Sequence, residues 1–435
     1  MCGIQLTKKQ TPNLIKHRGD FHFDGKEFDW FYNFSSLPIS SNDTGLTQPL
    51  ELDNAFLFFN GEIFNYKDFG GYRSDLHYLK DLFKKELFSN KFRQQYKKWD
   101  GFWSICYLDK DGVIFFTDPL GKKQLYYNHI GICSEIKPLI NNSLLMSIAR
   151  YNTLNTNFNN VNRAMPGMFY RYDNGNSLAY RLPKTVSDYI GNGNDGDLYT
   201  MIDKSVKLRS ITNYGKLGLL FSGGLDSSIV AHHLVKNNIE FKALSIENNE
   251  TGNAKRIAKQ IGFDLEFIDD KISKSEYKKL ILHYEYNLDY GSLIPQYLLF
   301  KKAKELGLYT VLTGDGADEL FSGYTRALEG DTQEYDVFSE LPYYHHIRID
   351  RVSMMHTVEA RNPFLSSDII NYALKTKYAD RVGKKNLREI YKKHFDTSVK
   401  KKPLRYKGDK DKNLNLTQET FMTEFNNYIN TQNGK

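Results

Sequence analysis

Apolar residues recur with two different periods along the chain. Up to about residue 180 they come in short runs broken by turn residues: 56–59 ahead of Asn60-Gly61, then 102–107 and 113–116 joined by Asp111-Gly112. Short runs punctuated in this way predict strands, and this many of them predict a strand-rich first domain of two packed sheets. The pattern then changes. Residues 198–210 read as a helix, 217–220 as a buried strand and 229–234 as a helix. Strands at 241–246, 265–268 and 309–313 alternate with helices at 253–261, 275–284 and 294–306. Alternation of this kind predicts a parallel sheet covered on both faces. A helix at 347–357 and a loop at 359–365 follow. Between the two regimes, Gly191-Asn192-Gly193-Asn194-Asp195-Gly196-Asp197 has no hydrophobic period. The expected organisation is a first domain at 1–185, a linker at 186–197 and a second domain at 198–435.

Composition narrows the function classes. At 435 residues, 40% hydrophobic and 26% charged, the chain suits two globular cores. Its net charge of +7 is spread over scattered lysines. This favours small anionic substrates and disfavours nucleic acid, which needs a basic stripe interleaved with aromatics. Cys2, Cys106 and Cys133 form no Cys-x-x-Cys pair, so neither a zinc ribbon nor a disulfide scaffold is expected. Cys106 and Cys133 are expected to fill apolar space. A reducing, cytoplasmic setting fits, and no apolar run of 18 or more residues suggests a membrane span.

Four stretches carry candidate chemistry. The strand at 217–220 runs into Phe221-Ser222-Gly223-Gly224-Leu225-Asp226-Ser227-Ser228 and then a helix. Unpaired backbone N–H groups and three hydroxyls would cradle a phosphate there. No Gly-Lys-Ser/Thr follows, and Asp226 beside a polyphosphate calls for a bridging divalent cation. A tight strand-to-helix turn is the plainer reading of the same residues. Second, loss of Met1 would give Cys2 a free α-amine, and an amine with pKa near 8 can take the thiol proton. Third, a turn at Asn60-Gly61 could aim an amide and a backbone N–H at one oxyanion, or be a simple hairpin turn. Fourth, Asp315 and Asp318 stand three residues apart, either facing a shared cation or opening a capped helix.

The pieces taken in order resemble one family. Met1-Cys2-Gly3-Ile4, His17-Arg18-Gly19, Asn60-Gly61-Glu62-Ile63-Phe64-Asn65, Ser74-Asp75 and Ser134-Glu135-Ile136-Lys137 come first. They are followed by the 222–228 loop, Gly314-Asp315-Gly316-Ala317-Asp318-Glu319 and Val358-Glu359-Ala360-Arg361-Asn362-Pro363-Phe364-Leu365. This is the order found in glutamine-hydrolysing asparagine synthetases. The resemblance implies an α+β Ntn-hydrolase-type sandwich followed by an α/β domain of the adenine nucleotide alpha-hydrolase type. It implies that Cys2 attacks the glutamine amide, Asn60 and Gly61 hold the oxyanion, and Asp75 binds the substrate amine. Glu62, Ser36, Leu37 and Ile39 would line the glutamine pocket. In the second domain it implies ATP over Phe221, Ser222, Gly223, Gly224 and Ser227, with the adenine near Ile246, Thr313 and Gly314. Asp226 and Asp318 would hold magnesium (Mg2+), Asp315 would handle the amine proton, and Lys402 would neutralise the adenylating phosphate. Glutamine, aspartate and ATP are the implied partners, a homodimer the implied assembly, and β-aspartyl-AMP the implied intermediate.

Two departures bear on substrates. Ser36-Leu37-Pro38-Ile39 replaces the family's arginine-led stretch, removing a charge-assisted grip on glutamine's carboxylate. Arg18 or Arg73 could compensate. Leu341-Pro342-Tyr343-Tyr344-His345-His346 stands where relatives carry paired acids. That leaves amidation of another carboxylate, such as a sugar-acid, or a catalytically silent assembly subunit, as alternatives.

Overall fold

The computed structural model describes residues 2–39, 46–85, 89–140, 156–158, 160–173, 176–180, 196–248, 250–287, 289–399, 406 and 418–432. Most of the expected linker and Lys402 therefore lie outside the described residues.

The first half is a pair of six-stranded sheets. One has the order β10 (Asn162–Arg163), β8 (Tyr126–Tyr127), β9 (Gly131–Cys133), β1 (Cys2–Thr7), β3 (Trp30–Ser36), β2 (Phe21–Glu27). The other runs β12 (Asn176–Tyr180), β11 (Phe169–Asp173), β7 (Gly112–Thr117), β6 (Gly101–Asp109), β5 (Ala55–Ile63), β4 (Leu50–Glu51). The alternation of side chains along β5 sorts its residues between two cores. Phe58 packs with Ile4, Leu6 and Phe34 between the sheets. Leu57 and Phe59 face Tyr78, Leu79 and Leu82 of the helix Asp75–Lys85 on the other side.

Here the structure corrects the sequence reading. Asn60-Gly61 is not a turn: β5 continues through it to Ile63, paired in register with β6, so that Gly61 lies opposite Trp103.

The second half is a five-stranded parallel sheet with the order β15 (Leu265–Ile268), β14 (Lys242–Ile246), β13 (Lys216–Leu220), β16 (Leu308–Leu312), β17 (Glu359–Arg361). Helices cover both faces, with Ile229, Val230 and Ile257 packed on one side and Leu298, Phe300 and Ala303 on the other. Because β14 and β16 flank β13 on opposite sides, the order reverses there, and a crevice opens at the carboxyl ends of these three strands. The helix expected at 347–357 is His346–Met355, entered from a wide-turn helix over Asp336–His345 that contains Pro342.

The halves share one core and a layer of buried charge. Tyr126, Cys133 and Leu139 pack with Leu280, Tyr284, Ile347 and Val352. Arg18 reaches Asp350 at 3.0 Å, Lys123 bonds the same carboxylate, and Lys137 and Arg351 meet Glu285 at 3.1 and 3.0 Å. Arg209 pairs with Asp100 at 2.8 Å. Charges this deep are tolerable only when paired, so they fix how the halves dock. Among the described residues no helix is long and apolar enough to cross a membrane.

Candidate functional site

Two clusters of chemistry sit on either side of this interface. In the first, the β1–β3 register sets Cys2 opposite Ser36, with the thiol 3.7 Å from the Ser36 hydroxyl and 4.0 Å from the Gln48 amide nitrogen. The Cys2 backbone nitrogen donates to Oδ1 of Asn60 at 2.9 Å, and Nδ2 of Asn60 donates to Ser104 at 3.2 Å. The Cys2 nitrogen can only donate, which fixes the orientation of the amide. It is also the atom that becomes the α-amine when Met1 is removed. Burial pushes the Cys2 thiol up, offset in part by the positive amino terminus and by bonds to Leu37 and Ser36.

Gly61 is required for space. A Cβ there would lie 2.1 Å from the Phe102 carbonyl oxygen. Asp75 starts its helix and accepts the Ile63 N–H at 3.1 Å; burial pushes its carboxyl up, against the backbone N–H groups of Ile63 and Leu76. Burial also pushes Glu62 up, reinforced by Glu359, while Arg361 from the second half approaches it at 3.4 Å. Ser36 and Leu37 thus adjoin the thiol. Ile39 is buried, and its carbonyl accepts from the Asn213 N–H of the second half at 2.7 Å. Arg18 is committed to Glu135, Asp350 and the Cys2 carbonyl, and Arg73 is exposed.

The second cluster lines a cavity of about 360 Å3 at the parallel-strand ends, within the range of small-molecule sites. Phe221, Ser222, Asp226, Ser227, Ile246, Thr313, Gly314, Asp315 and Asp318 all contribute, so the three segments expected to converge do so. Gly223 has φ +73°, and a Cβ on it would meet Ala254 at 2.7 Å, so the loop needs glycine for both reasons. Gly224 caps the helix Leu225–Lys236, whose N-terminus faces the loop, and Ser227 bonds Ser222 at 3.2 Å. Gly314 lets the two turns touch: a Cβ would sit 2.8 Å from Cβ of Asp226.

Asp315 lies ahead of the short helix Ala317–Leu320, which Gly316 caps, so it shares no helix face with Asp318. The Thr313 hydroxyl donates to it at 2.6 Å. Asp226 and Asp318 do meet, on one cation. The Lys384 ammonium bonds both Asp226 oxygens at 2.7 Å and also Asp318. These two carboxylates raise the Lys384 pKa against the cost of burial. A pair of acids arranged to share a cation is also a donor set that suits magnesium.

Sequence reading missed Lys384 and nominated Lys402. A single lysine after a turn at Gly383 carries no local signature, and its partners lie 158 residues away for Asp226. Arg348 was missed too. It reaches the same cavity, bonding Ser292 at 2.8 Å and Tyr344 at 3.0 Å, while its Nε is buried with no partner among the described residues. His17, Glu135 and His283 bring three metal-ligating atoms within 4.8 Å. Glu135 already carries Arg18 at 3.1 Å and Lys137 at 2.9 Å, which makes that cluster a structural ion network.

Comparison with known proteins agrees with this geometry. The model of the asparagine synthase family matches residues 197–339 and 331–412. A putative glutamine-hydrolysing asparagine synthetase of Methanocaldococcus jannaschii is 26% identical over 399 residues, covering 85% of this chain and 72% of the relative. The glutamine-hydrolysing asparagine synthetase of Gallus gallus is 26% identical over 470 residues, covering 92% and 81%. Among solved structures, a glutamine phosphoribosylpyrophosphate amidotransferase of B. subtilis overlaps 82% of this chain and 81% of its own at 11% identity. Its TM-score of 0.27 adds nothing to the strand orders given above. With a family model over its second half and relatives matching along most of its length, the chain belongs to the asparagine synthase family.

Proposed function

We propose that the protein makes asparagine from aspartate, drawing nitrogen from glutamine and energy from the cleavage of ATP to AMP and pyrophosphate. The observation that carries this reading is the pairing of Cys2 with Asn60 at 2.9 Å on one side of a buried interface and the convergence of Asp226 with Asp318 on the other.

In the first half the α-amine, held by Asn60, takes the Cys2 proton. The sulfur attacks the amide carbon of glutamine, and a donor pair at Asn60 and Gly61 stabilises the oxyanion. The carbon–nitrogen bond breaks, ammonia leaves, and water releases glutamate from the thioester. Asp75 binds the substrate's α-amine.

In the second half the β-carboxylate of aspartate attacks the α-phosphorus of ATP, and pyrophosphate departs. Ammonia then displaces AMP from β-aspartyl-AMP, and Asp315, oriented by Thr313, takes the excess proton. Asp226 and Asp318 would hold magnesium, which supplies charge neutralisation on the phosphates. Lys384, which bonds both carboxylates, adds to it. Arg348, the guanidinium of this cavity, binds the acceptor's carboxylate.

Mass identification of products after incubation with glutamine, aspartate, ATP and magnesium tests the reading. Asparagine, glutamate and AMP in equal amounts are expected. AMP that appears only with another carboxylate would reassign the acceptor, as the Tyr343-Tyr344-His345 stretch allows. No AMP with any acceptor would favour a silent assembly subunit.

A further inference from the structure

The stretch that departs from the family pattern ends at the cavity, and it takes hold of Arg348. Tyr344 and His345 close the wide-turn helix Asp336–His345, and Arg348 follows within the next turn, in the helix His346–Met355. Spacings of four and three residues bring both side chains to the guanidinium. Nη1 of Arg348 donates to the Ser292 hydroxyl at 2.8 Å and to the Tyr344 hydroxyl at 3.0 Å, and Nη2 donates to Nδ1 of His345 at 3.2 Å. The two hydroxyls give their own protons to Asp289, so their oxygens are the acceptors. Asp289 itself stands 3.9 Å from the guanidinium.

These contacts settle the state of the imidazole. A guanidinium can only donate, so Nδ1 of His345 is bare and the ring proton sits on Nε2. On that side Nε2 faces the Tyr324 oxygen at 3.1 Å, while the Tyr324 proton goes to Glu319 at 2.6 Å. The oxygen therefore keeps a lone pair for the ring N–H. Burial pushes the Glu319 carboxyl up, and His345 and Tyr324 act against that shift. Glu340, also 3.5 Å from Nε2, is bonded by Arg326. Donation thus runs in one direction, from Arg348 through His345 and Tyr324 to Glu319. Turning the ring over would put carbon where the nitrogen lone pair now meets Arg348.

We propose that His345 is a positioning residue for the acceptor: its bare Nδ1, held by Tyr324 and Glu319 behind it, fixes the Arg348 guanidinium in the plane that receives the acceptor's carboxylate. The inference rests on the role given to Arg348 above. His345→Asn puts an amide oxygen near the place of Nδ1, whereas His345→Gln carries the same amide out to the place of Nε2. ATP–pyrophosphate exchange at varied aspartate and varied ATP compares them, with thermal melts to show that each variant folds. A hydrogen bond to a charged group is worth roughly 10- to 100-fold, and the aspartate KM of His345→Gln should rise by that factor. Its ATP KM and kcat should stay within about twofold, the signature of lost binding to one substrate. His345→Asn should keep an aspartate KM close to the wild-type value. Tyr324→Phe removes the oxygen behind the ring and should raise the same KM by a smaller factor.

An unchanged aspartate KM in folded His345→Gln would overturn the inference, and so would an equal rise in His345→Asn, which would reduce the residue to shape alone. Where His345→Gln does not fold, Tyr324→Phe decides, and an unchanged KM there overturns it. A wild type without aspartate-dependent exchange would instead overturn the parent reading of the site.

Discussion

Substituting Gly314 by Ala probes the contact on which the cavity at the parallel-strand ends depends. The new Cβ would lie 2.8 Å from Cβ of Asp226, 2.9 Å from the Ser227 backbone nitrogen and 3.0 Å from the Asp226 carbonyl carbon. Unstrained carbon contacts are about 3.5–4.0 Å, so the loop must retreat by roughly 0.7 Å or more. Two of these neighbours are backbone atoms, and rotamer changes cannot relieve them. Overpacking of this kind costs about 1–3 kcal/mol of stability. The catalytic cost is larger, because a displacement near 1 Å at a positioning group lowers rates by about 100-fold. ATP–pyrophosphate exchange with aspartate is therefore expected to fall by about that factor, while glutamine hydrolysis in the same preparation persists. Exchange within about threefold of wild type, equivalent to about 0.7 kcal/mol, would refute the claim that close apposition of these two turns builds the site.

Further perturbations separate the halves. Gly61→Ala places a methyl 2.1 Å from the Phe102 oxygen; glutamine hydrolysis should drop by about 100-fold while synthesis from added ammonia continues, measured by asparagine formation from each nitrogen source. Lys384→Met leaves Asp226 and Asp318 facing each other without their shared cation; pyrophosphate exchange should be lost and glutamine hydrolysis kept. Asp350→Asn strands the Lys123 ammonium and leaves Arg18 only Glu135 as a carboxylate partner, at a cost of about 3–5 kcal/mol read by thermal unfolding. Burial opposes the Asp350 charge, yet Arg18 and Lys123 hold its pKa down to about 2. Its stabilisation is therefore complete above the ordinary carboxylate value of about 4 and drains away as pH falls toward 2. Asp350→Asn should lack that part of the acid transition.

Periodicity made the two architectures legible, because alternation at two residues and at 3.6 are set locally by which face is buried. It also brought Phe221, Ile246 and Thr313 to one crevice, since strand ends in a parallel sheet share an edge. Asn60-Gly61 misled for a physical reason. That dipeptide usually turns a hairpin, but here the ladder with β6 extends past it and uses the glycine for close strand approach. Lys384 and Arg348 escaped notice because each matters through partners distant in sequence, Asp226 for the one and Ser292 for the other. The wide-turn helix around Pro342 carries Glu340, Tyr344 and His345 into the cavity, a conformation that no local pattern announces.

The central claim is that one thiol releases the nitrogen that a separate nucleotide site consumes. Its most direct measurement is asparagine formation by Cys2→Ala with glutamine and, in parallel, with ammonium salt. The expected result is loss with glutamine and retention with ammonia. Normal use of glutamine by the variant would contradict it.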